Sequence, residues 1–299
     1  MSVVITQIFN GFSLGSVLLF VAIGLAITFG LMGVINMAHG ELIMAGAYMT
    51  YVVQQIFAKY APQSMGYYFF VAIPVAFFVS ALLGWGLEKI LIRHLYHRPL
   101  DSLLATWGVS LILQQIARTI FGAPNVAVLP PGWLDGGIRV AGIVFPYKRL
   151  FILVFVILSI FVLYVYLNKT PAGRRMRAVT LNRDMASCLG ISTRKVDAYA
   201  FAIGSGFAGL AGCALTLLGP IGPTIGTYYI VDAFMVVILG GVGKLIGTVL
   251  GAIGIGLVST LMEYSTSATM AKVIIFALII AFLQWKPSGL VSVKTRSLD

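Results

Sequence analysis

The chain has 299 residues, of which 60% are hydrophobic and only 10% are charged, and its mean hydropathy is +1.00. A soluble domain carries about 25% charged residues, so this composition excludes a single water-soluble globule and indicates a membrane protein. The net charge of +11 does not indicate a nucleic-acid partner, because the positive residues lie in short loops between apolar runs. We expect those loops to contact lipid headgroups.

Long unbroken apolar runs dominate the chain. A helical span needs about 20 predominantly apolar residues, and these runs lack the two-residue alternation of barrel strands. We therefore predict an all-α polytopic membrane protein with about eight or nine apolar segments in a single transmembrane domain, residues 1–299. The segments are 8–33, 40–57, 67–92, 102–121, 149–167, 198–219, 229–243, 246–263 and 270–285. Two of them, 40–57 and 229–243, are short, and either is a candidate for a re-entrant or broken helix.

The basic connections predict the orientation of the chain. Residues 88–101, residues 168–197 and the tail from Lys286 are rich in Lys and Arg, and the positive-inside rule places all three in the cytoplasm. The connection 122–148 is then an external loop, and its Pro and Gly residues indicate turns between short extended pieces. Nine crossings would put the N-terminus outside, whereas one re-entrant segment would put it inside, and we expect it inside.

The stretch INMAHGELIMAGAY places Asn36, His39 and Glu41 between the first two apolar segments. A charge at the bilayer centre costs about 2.5–3.5 kcal/mol on insertion scales, so Glu41 must lie at a helix end, in water or against a partner. His39 is the nearest candidate partner, but residues two apart do not face each other on a helix. We predict that Glu41 starts the second helix and mainly shapes the junction, with Asn36 or His39 satisfying free backbone groups. The alternative places His39 and Glu41 beside a transport pathway.

Two other motifs fail as chemical signatures. GGVGKLIG at 240–247 lacks the phosphate-loop pattern, because Ile238 and Leu245 stand where a glycine and a hydroxyl are required. GFSLG at 11–15 matches G-x-S-x-G, but it begins a transmembrane helix rather than a strand-to-helix elbow. We therefore expect that this chain is not an enzyme and binds no ATP, other cofactor or metal itself.

The long cytoplasmic connection begins with a predicted basic helix. Thr170 followed by Pro171 is typical of an N-cap with proline at the first helical position. Arg174, Arg175 and Arg177 then cluster on that helix.

A second short helix follows in the same connection. Asn182 can cap its start, Asp184 suits its first turn and Gly190 suits its end. Between these ends, a small apolar surface is formed by Met185, Ala186, Cys188 and Leu189. From the residues alone, this surface fits a groove on a partner protein and the lipid headgroups equally well.

Three stretches carry a family resemblance: NGFSLGSVLLFVAIGLAITFGLMGVINMAHGELIMAGAY, TPAGRRMRAVTLNRDMASCLGIST and FAIGSGFAGLAGCAL. On these motifs the chain resembles the inner-membrane permease subunits of ABC importers of the branched-chain amino acid type. Within this family, the chain most resembles the urea-importing branch, because of the sequence GPIGPTIGTYYIVDAFMVVILGGVGKLIGT at 219–248. Amino acid permeases of the family tend to lack YIVDAFMVV and favour Ser where this chain has Lys244.

The resemblance implies a multi-pass protein of the bacterial inner membrane that works in a complex. It implies a second, related permease subunit, two cytoplasmic ABC ATPases that use ATP, and a periplasmic substrate-binding protein. It also implies that the helix at 182–190 couples the permease to an ATPase. The candidate coupling residues are Arg174, Arg175, Arg177, Asn182, Asp184, Met185, Leu189 and Gly190.

The expected substrate is urea or a short amide, which needs neutral polar groups and narrow walls. The candidate residues of the translocation path are Asn36, His39, Glu41, Tyr48, Thr227, Tyr228, Tyr229 and Asp232. One alternative is a branched-chain amino acid permease of the same family, which needs a wider apolar passage. Another is a stand-alone channel or secondary transporter, although a channel needs no docking helix and a proton-coupled carrier needs intramembrane carboxylates.

Overall fold

The structure, a computed structural model, describes residues 2–96, 98–140 and 143–291. Within these residues the chain is almost entirely helical, and the all-α polytopic prediction is confirmed. The helices are α1 (Ser2–Met32), α2 (His39–Tyr60), α3 (Tyr68–Ile90), α4 (Pro99–Phe121), α5 (Tyr147–Lys169), α6 (Pro171–Leu181), α7 (Arg183–Cys188), α8 (Thr193–Leu215), α9 (Ile225–Gly240), α10 (Leu245–Ser265) and α11 (Ala268–Trp285). Short 3₁₀ turns occupy Pro62–Tyr67, Ile92–His94 and Gly132–Leu134.

Six of these helical stretches are long and apolar enough to cross a membrane, and they contain α1, α3, α4, α5, α8 and α10. α9 and α11 are shorter apolar helices. Of the two segments predicted to be short, α2 has 22 residues and a length of about 33 Å, whereas α9 has 16 residues and a length of about 24 Å. Of these two helices, α9 is therefore the shorter one.

Glycines bring the central helices α1, α2, α8 and α9 into close contact. Gly24 of α1 packs against the backbone of Gly204 in α8. Gly40 at the start of α2 packs against Gly226 at the start of α9, where an added Cβ on Gly40 would lie 2.5 Å from the Gly226 carbonyl oxygen. Small residues permit such close approach of backbones between membrane helices. The first turns of α2 and α9 are thus fixed against each other.

The predicted external loop contains the extended pieces expected from its Pro and Gly residues. Strand β1 (Gly137–Val140) pairs in antiparallel fashion with β2 (Ile143–Pro146). The loop is anchored to the helices by the Leu129 carbonyl oxygen, which accepts hydrogen bonds from Gln54 Nε2 at 2.7 Å and Tyr68 Oη at 2.6 Å.

The contacts of α1 show which connections lie beside its two ends. Asn10 accepts a hydrogen bond from Arg149 at the start of α5, and the Phe9 ring packs edge-on against Phe145 of β2. The end of α1 lies on the opposite face, where Met32 accepts a hydrogen bond from Tyr96 of the basic 88–101 connection. The start of α1 therefore lies with the predicted external loop and its end with a predicted cytoplasmic connection, so the expected inside N-terminus and the expected inside basic connections do not both hold. The last part of the predicted cytoplasmic tail, 292–299, lies outside the described residues.

Candidate functional site

The junction between α1 and α2 is built by local hydrogen bonds. Asn36 Oδ1 accepts a hydrogen bond from the Ala38 amide at 3.0 Å, and the Met37 amide donates to Thr106 Oγ1 at 3.1 Å. α2 then begins at His39, with Glu41 in its first turn. The predictions that Glu41 starts the second helix and that Asn36 satisfies a free backbone group are both confirmed.

Glu41 is held by neutral donors from a distant helix. Ser110 Oγ donates to Glu41 Oε1 at 2.9 Å, and Gln114 Nε2 donates to the same oxygen at 2.8 Å. Gln114 Nε2 also lies 3.1 Å from Thr227 Oγ1 of α9. Glu41 is only 1% exposed, and its second carboxylate oxygen has no hydrogen-bond partner among the described residues. One carboxylate therefore ties α2 to α4, and through Gln114 to α9.

The α4 residues in this cluster were missed by the sequence analysis, although the sequence carries a signal for them. A polar residue recurs at every fourth position of α4, and all four are buried: Ser102, Thr106, Ser110 and Gln114. Residues four apart lie on one face of a helix. This polar face of α4 is turned toward the start of α2, while its apolar residues are exposed on the other side.

His39 and Tyr48 do not join the Glu41 cluster. The His39 ring is fully buried beside Gly24 and faces the Val21 backbone, yet neither of its nitrogens makes a hydrogen bond of normal geometry within the part of the chain that the structure describes. Of the two residues expected to satisfy a free backbone group at the junction, it is therefore Asn36 that does so. Tyr48 is buried and stacks on Phe121, with ring centroids 4.2 Å apart. Both residues are buried among the described helices.

The path candidates on α9 occupy a different environment. Tyr228, Tyr229 and Asp232 line an open cavity of about 370 Å³ between α1, α9, α10 and α11. Asp232 Oδ2 lies 3.3 Å from Lys272 Nζ of α11, and this lysine was also missed by the sequence analysis. Thr227 is exposed beside the cavity while its hydroxyl touches Gln114. The eight candidates thus form two groups, one buried around α2 and one facing a cavity, with Thr227 between them.

The first helix of the basic connection has the predicted cap. α6 starts after Thr170, whose hydroxyl accepts a hydrogen bond from the Gly173 amide at 3.1 Å. Arg174, Arg175 and Arg177 are exposed on its surface, and Arg177 donates to Asn168 Oδ1 at 2.9 Å.

The second helix, α7, is shorter than the predicted 182–190 but has the predicted ends. Asn182 Oδ1 accepts a hydrogen bond from the Met185 amide at 2.9 Å, Asp184 lies in the first turn, and Gly190 follows the helix with a φ of 80°. Met185 and Leu189 are 58% and 74% exposed. Ala186, which we expected on the same surface, is instead buried against the neighbouring helices.

An ionic network connects α7 to the membrane helices. Arg183 in the first turn of α7 pairs with the buried Asp197 of α8, and its guanidinium lies 5.1 Å from the Tyr96 ring centroid. Tyr96 Oη in turn donates to Glu88 Oε1 at 2.9 Å, and Glu88 pairs with Arg93 at 3.1 Å. Burial, together with the nearby carboxylates, raises the pKa of the Tyr96 phenol well above its usual range, so it remains a neutral donor. The network was not predicted, and it gives α7 a rigid attachment to α3 and α8.

Comparison with known proteins identifies the family to which the chain belongs. Residues 7–283 match the family model described as the branched-chain amino acid transport system permease component. The chain belongs to this family. It is therefore a permease component of an ABC-type importer in the inner membrane, a transport subunit rather than an enzyme. Importers of this type work with ATPase and substrate-binding partners.

Curated relatives match over nearly the whole chain. The chain is 31% identical to the high-affinity branched-chain amino acid transport system permease protein LivH of Escherichia coli (strain K12), over 95% of this chain and 94% of the relative. It is 28% identical to the corresponding protein BraD of Pseudomonas aeruginosa, with the same coverage. A shorter match, 36% identical over 33% of each chain, is to the ribose import permease protein RbsC of Bacillus subtilis. No solved structure matches the chain.

Proposed function

We propose that this chain is the permease subunit through which an ATP-driven importer carries branched-chain amino acids. The observation that carries the proposal is the similarity over nearly the full length to permeases named for that substrate class. Urea, the substrate expected from the sequence of residues 219–248, becomes the second candidate, and that stretch alone favours it.

The complex in this proposal contains a second, related permease subunit, two cytoplasmic ATPases and a periplasmic substrate-binding protein. ATP is bound and hydrolysed by the ATPases, and this chain carries no cofactor. The connection 168–197 faces the cytoplasm, and 122–148 faces the periplasm, as the charge distribution predicts.

The coupling surface in this proposal is the exposed apolar face of α6 and α7. Leu181, Met185 and Leu189 are 85%, 58% and 74% exposed, and they follow one another at four-residue intervals. Large apolar side chains exposed together mark protein contact sites. The ionic attachment of Arg183 to Asp197 would transmit movement of this surface to α8.

The substrate is tested by reconstituting the complete importer in proteoliposomes and measuring ATP-dependent uptake of radiolabelled leucine and of urea. The proposal expects saturable leucine uptake that requires ATP, the ATPases and the binding protein, with no urea uptake. Urea uptake that a large excess of leucine does not reduce would establish the second candidate instead.

The coupling surface is tested by Leu189→Asp, which places a charge in the expected ATPase groove, where an unpaired buried charge is strongly unfavourable. The matched control is Leu129→Asp, because Leu129 is a 68% exposed leucine in the predicted external loop. We expect Leu189→Asp to abolish co-purification of the ATPases and Leu129→Asp to preserve it. Normal ATPase binding by Leu189→Asp would refute the assignment of the surface.

A further inference from the structure

The cavity beside α9 is lined by an ion pair that joins two apolar helices, α9 and α11. Asp232 lies within α9 and is 14% exposed at its side chain, and Lys272 of α11 is 57% exposed. Charged side chains in membrane helices are expensive unless they face water, a cavity or a partner, and they usually mark a functional site. The open side of this ion pair therefore faces water or protein rather than lipid.

The same cavity holds a second carboxylate without a countercharge. Glu263 of α10 lines the cavity, and its carboxylate makes no ion pair or hydrogen bond with any of the described residues. With Asp232 and Lys272, the cavity has two carboxylates and one ammonium group; Asp232 is paired with that ammonium, whereas Glu263 has no ion-pair partner within 4.0 Å among the described residues. An adjoining cavity of about 560 Å³ shares Glu263 and Tyr229 and adds Arg149 at its edge.

The remaining wall of the cavity is mostly apolar, apart from Ser259 and the hydroxyl-bearing Tyr228 and Tyr229. Leu14 and Leu18 of α1, Ile255 of α10 and Ile275 of α11 line it together with Met235. Its volume of about 370 Å³ lies within the range of small-molecule sites, which are mostly apolar with a few placed polar groups. An apolar wall next to paired opposite charges complements a molecule that has an ammonium, a carboxylate and an aliphatic side chain.

We propose that this cavity binds the zwitterion of an aliphatic amino acid on its way through the importer. Lys272 receives the α-carboxylate, Glu263 and Asp232 receive the α-ammonium group, and the leucine and isoleucine side chains contact the aliphatic part. Charge-assisted hydrogen bonds of this kind are stronger than neutral ones. The inference rests on the proposed function and deepens it, because urea carries neither charge and would gain nothing from these three groups.

The test measures ATP-dependent leucine uptake by the whole reconstituted importer at saturating loaded binding protein. Glu263→Gln removes the free carboxylate, and its matched control is Asp135→Asn, which removes an exposed carboxylate of the predicted external loop. We expect Glu263→Gln to lower uptake at least tenfold and Asp135→Asn to leave it within twofold. Both variants should keep the amount of assembled complex and its ATPase stimulation.

A double variant that exchanges the two charges, Asp232→Lys with Lys272→Asp, distinguishes a role of this pair in binding the amino acid from a purely structural role. The exchanged pair still joins α9 to α11, so assembly should persist, but its charges are reversed relative to Glu263 and the apolar wall. We expect uptake to fall at least tenfold. Wild-type uptake in this double variant, or in Glu263→Gln, would overturn the site while leaving the proposed function intact. Wild-type importer that carries no leucine would overturn the proposed function and this site with it.

Discussion

Two carboxylates differ in their surroundings: Glu41, in the first turn of α2, and Asp232, in the middle of α9. Glu41 is 1% exposed and accepts hydrogen bonds from Ser110 and Gln114, which are neutral. Asp232 pairs with a lysine and lies at the wall of an open cavity. A carboxylate enclosed by donors from another helix stabilises packing, whereas one beside a cavity can exchange its partner for a ligand. This difference fits the proposal, in which the Glu41 cluster holds helices together and the Asp232 cavity contacts the substrate.

The largest effect is expected from a substitution that breaks the Gly40–Gly226 contact, because this contact fixes α2, which carries Glu41, against α9, which carries Asp232. In Gly40→Ala, the new Cβ would lie 2.5 Å from the carbonyl oxygen and 2.8 Å from the carbonyl carbon of Gly226, so the backbone of α9 must move. Overpacking of this kind costs about 1–3 kcal/mol and occasionally more. We expect a large loss of thermal stability in the purified complex. The control is Gly86→Ala in α3, which meets open space and should have little effect; equal stability of the two variants would contradict the packing account.

A smaller loss is expected from Glu41→Ala. This variant removes the acceptor of Ser110 Oγ and one of the acceptors of Gln114 Nε2, which keeps Thr227 Oγ1, and a buried donor left unsatisfied costs about 1–3 kcal/mol. Thermal unfolding should shift to lower temperature, whereas Glu41→Gln keeps an acceptor oxygen and should retain most of the stability. A Glu41→Ala protein as stable as wild type would show that the cluster does not hold α4 to α2.

The smallest effect is expected where the two regions meet. Thr227→Val removes only the hydroxyl that Gln114 contacts at 3.1 Å, and Gln114 retains Glu41 as an acceptor. A single hydrogen bond contributes about 0.5–1.5 kcal/mol, so stability should fall by no more than about 1 kcal/mol, with leucine uptake per complex nearly unchanged. A loss of uptake without a loss of stability would move Thr227 from the packing region into the transport path.

The sequence predicted the features of this molecule that depend on neighbouring residues. The caps at Thr170 and Asn182, the turn at Gly190 and the helix start near Glu41 all follow from local hydrogen bonding. The partners of Glu41 lie 69 and 73 residues away in the chain. No local rule identifies such a pairing, although the four-residue spacing on α4 was visible.

The packing of the start of α1 beside the predicted external loop could not be predicted, for the same reason. Residues 1–7 carry no charged side chain to which the positive-inside rule applies. The deciding contact joins Asn10 to Arg149, which is 139 residues away. Likewise, Lys272 was not connected to Asp232 because they lie on different helices, 40 residues apart.

The most direct test of the division between the two regions is ATP-dependent leucine uptake per assembled complex, measured in parallel for Glu41→Gln and Asp232→Asn. Glu41→Gln keeps the shape and an acceptor oxygen of a buried packing residue, so uptake should remain at least half of the wild-type value. Asp232→Asn removes a charge that faces the cavity, so uptake should fall below a tenth while assembly and ATP hydrolysis continue. The contrary result is a Glu41→Gln complex that assembles and hydrolyses ATP but carries no leucine, with Asp232→Asn transporting normally; it would place Glu41 in the path and assign Asp232 to structure.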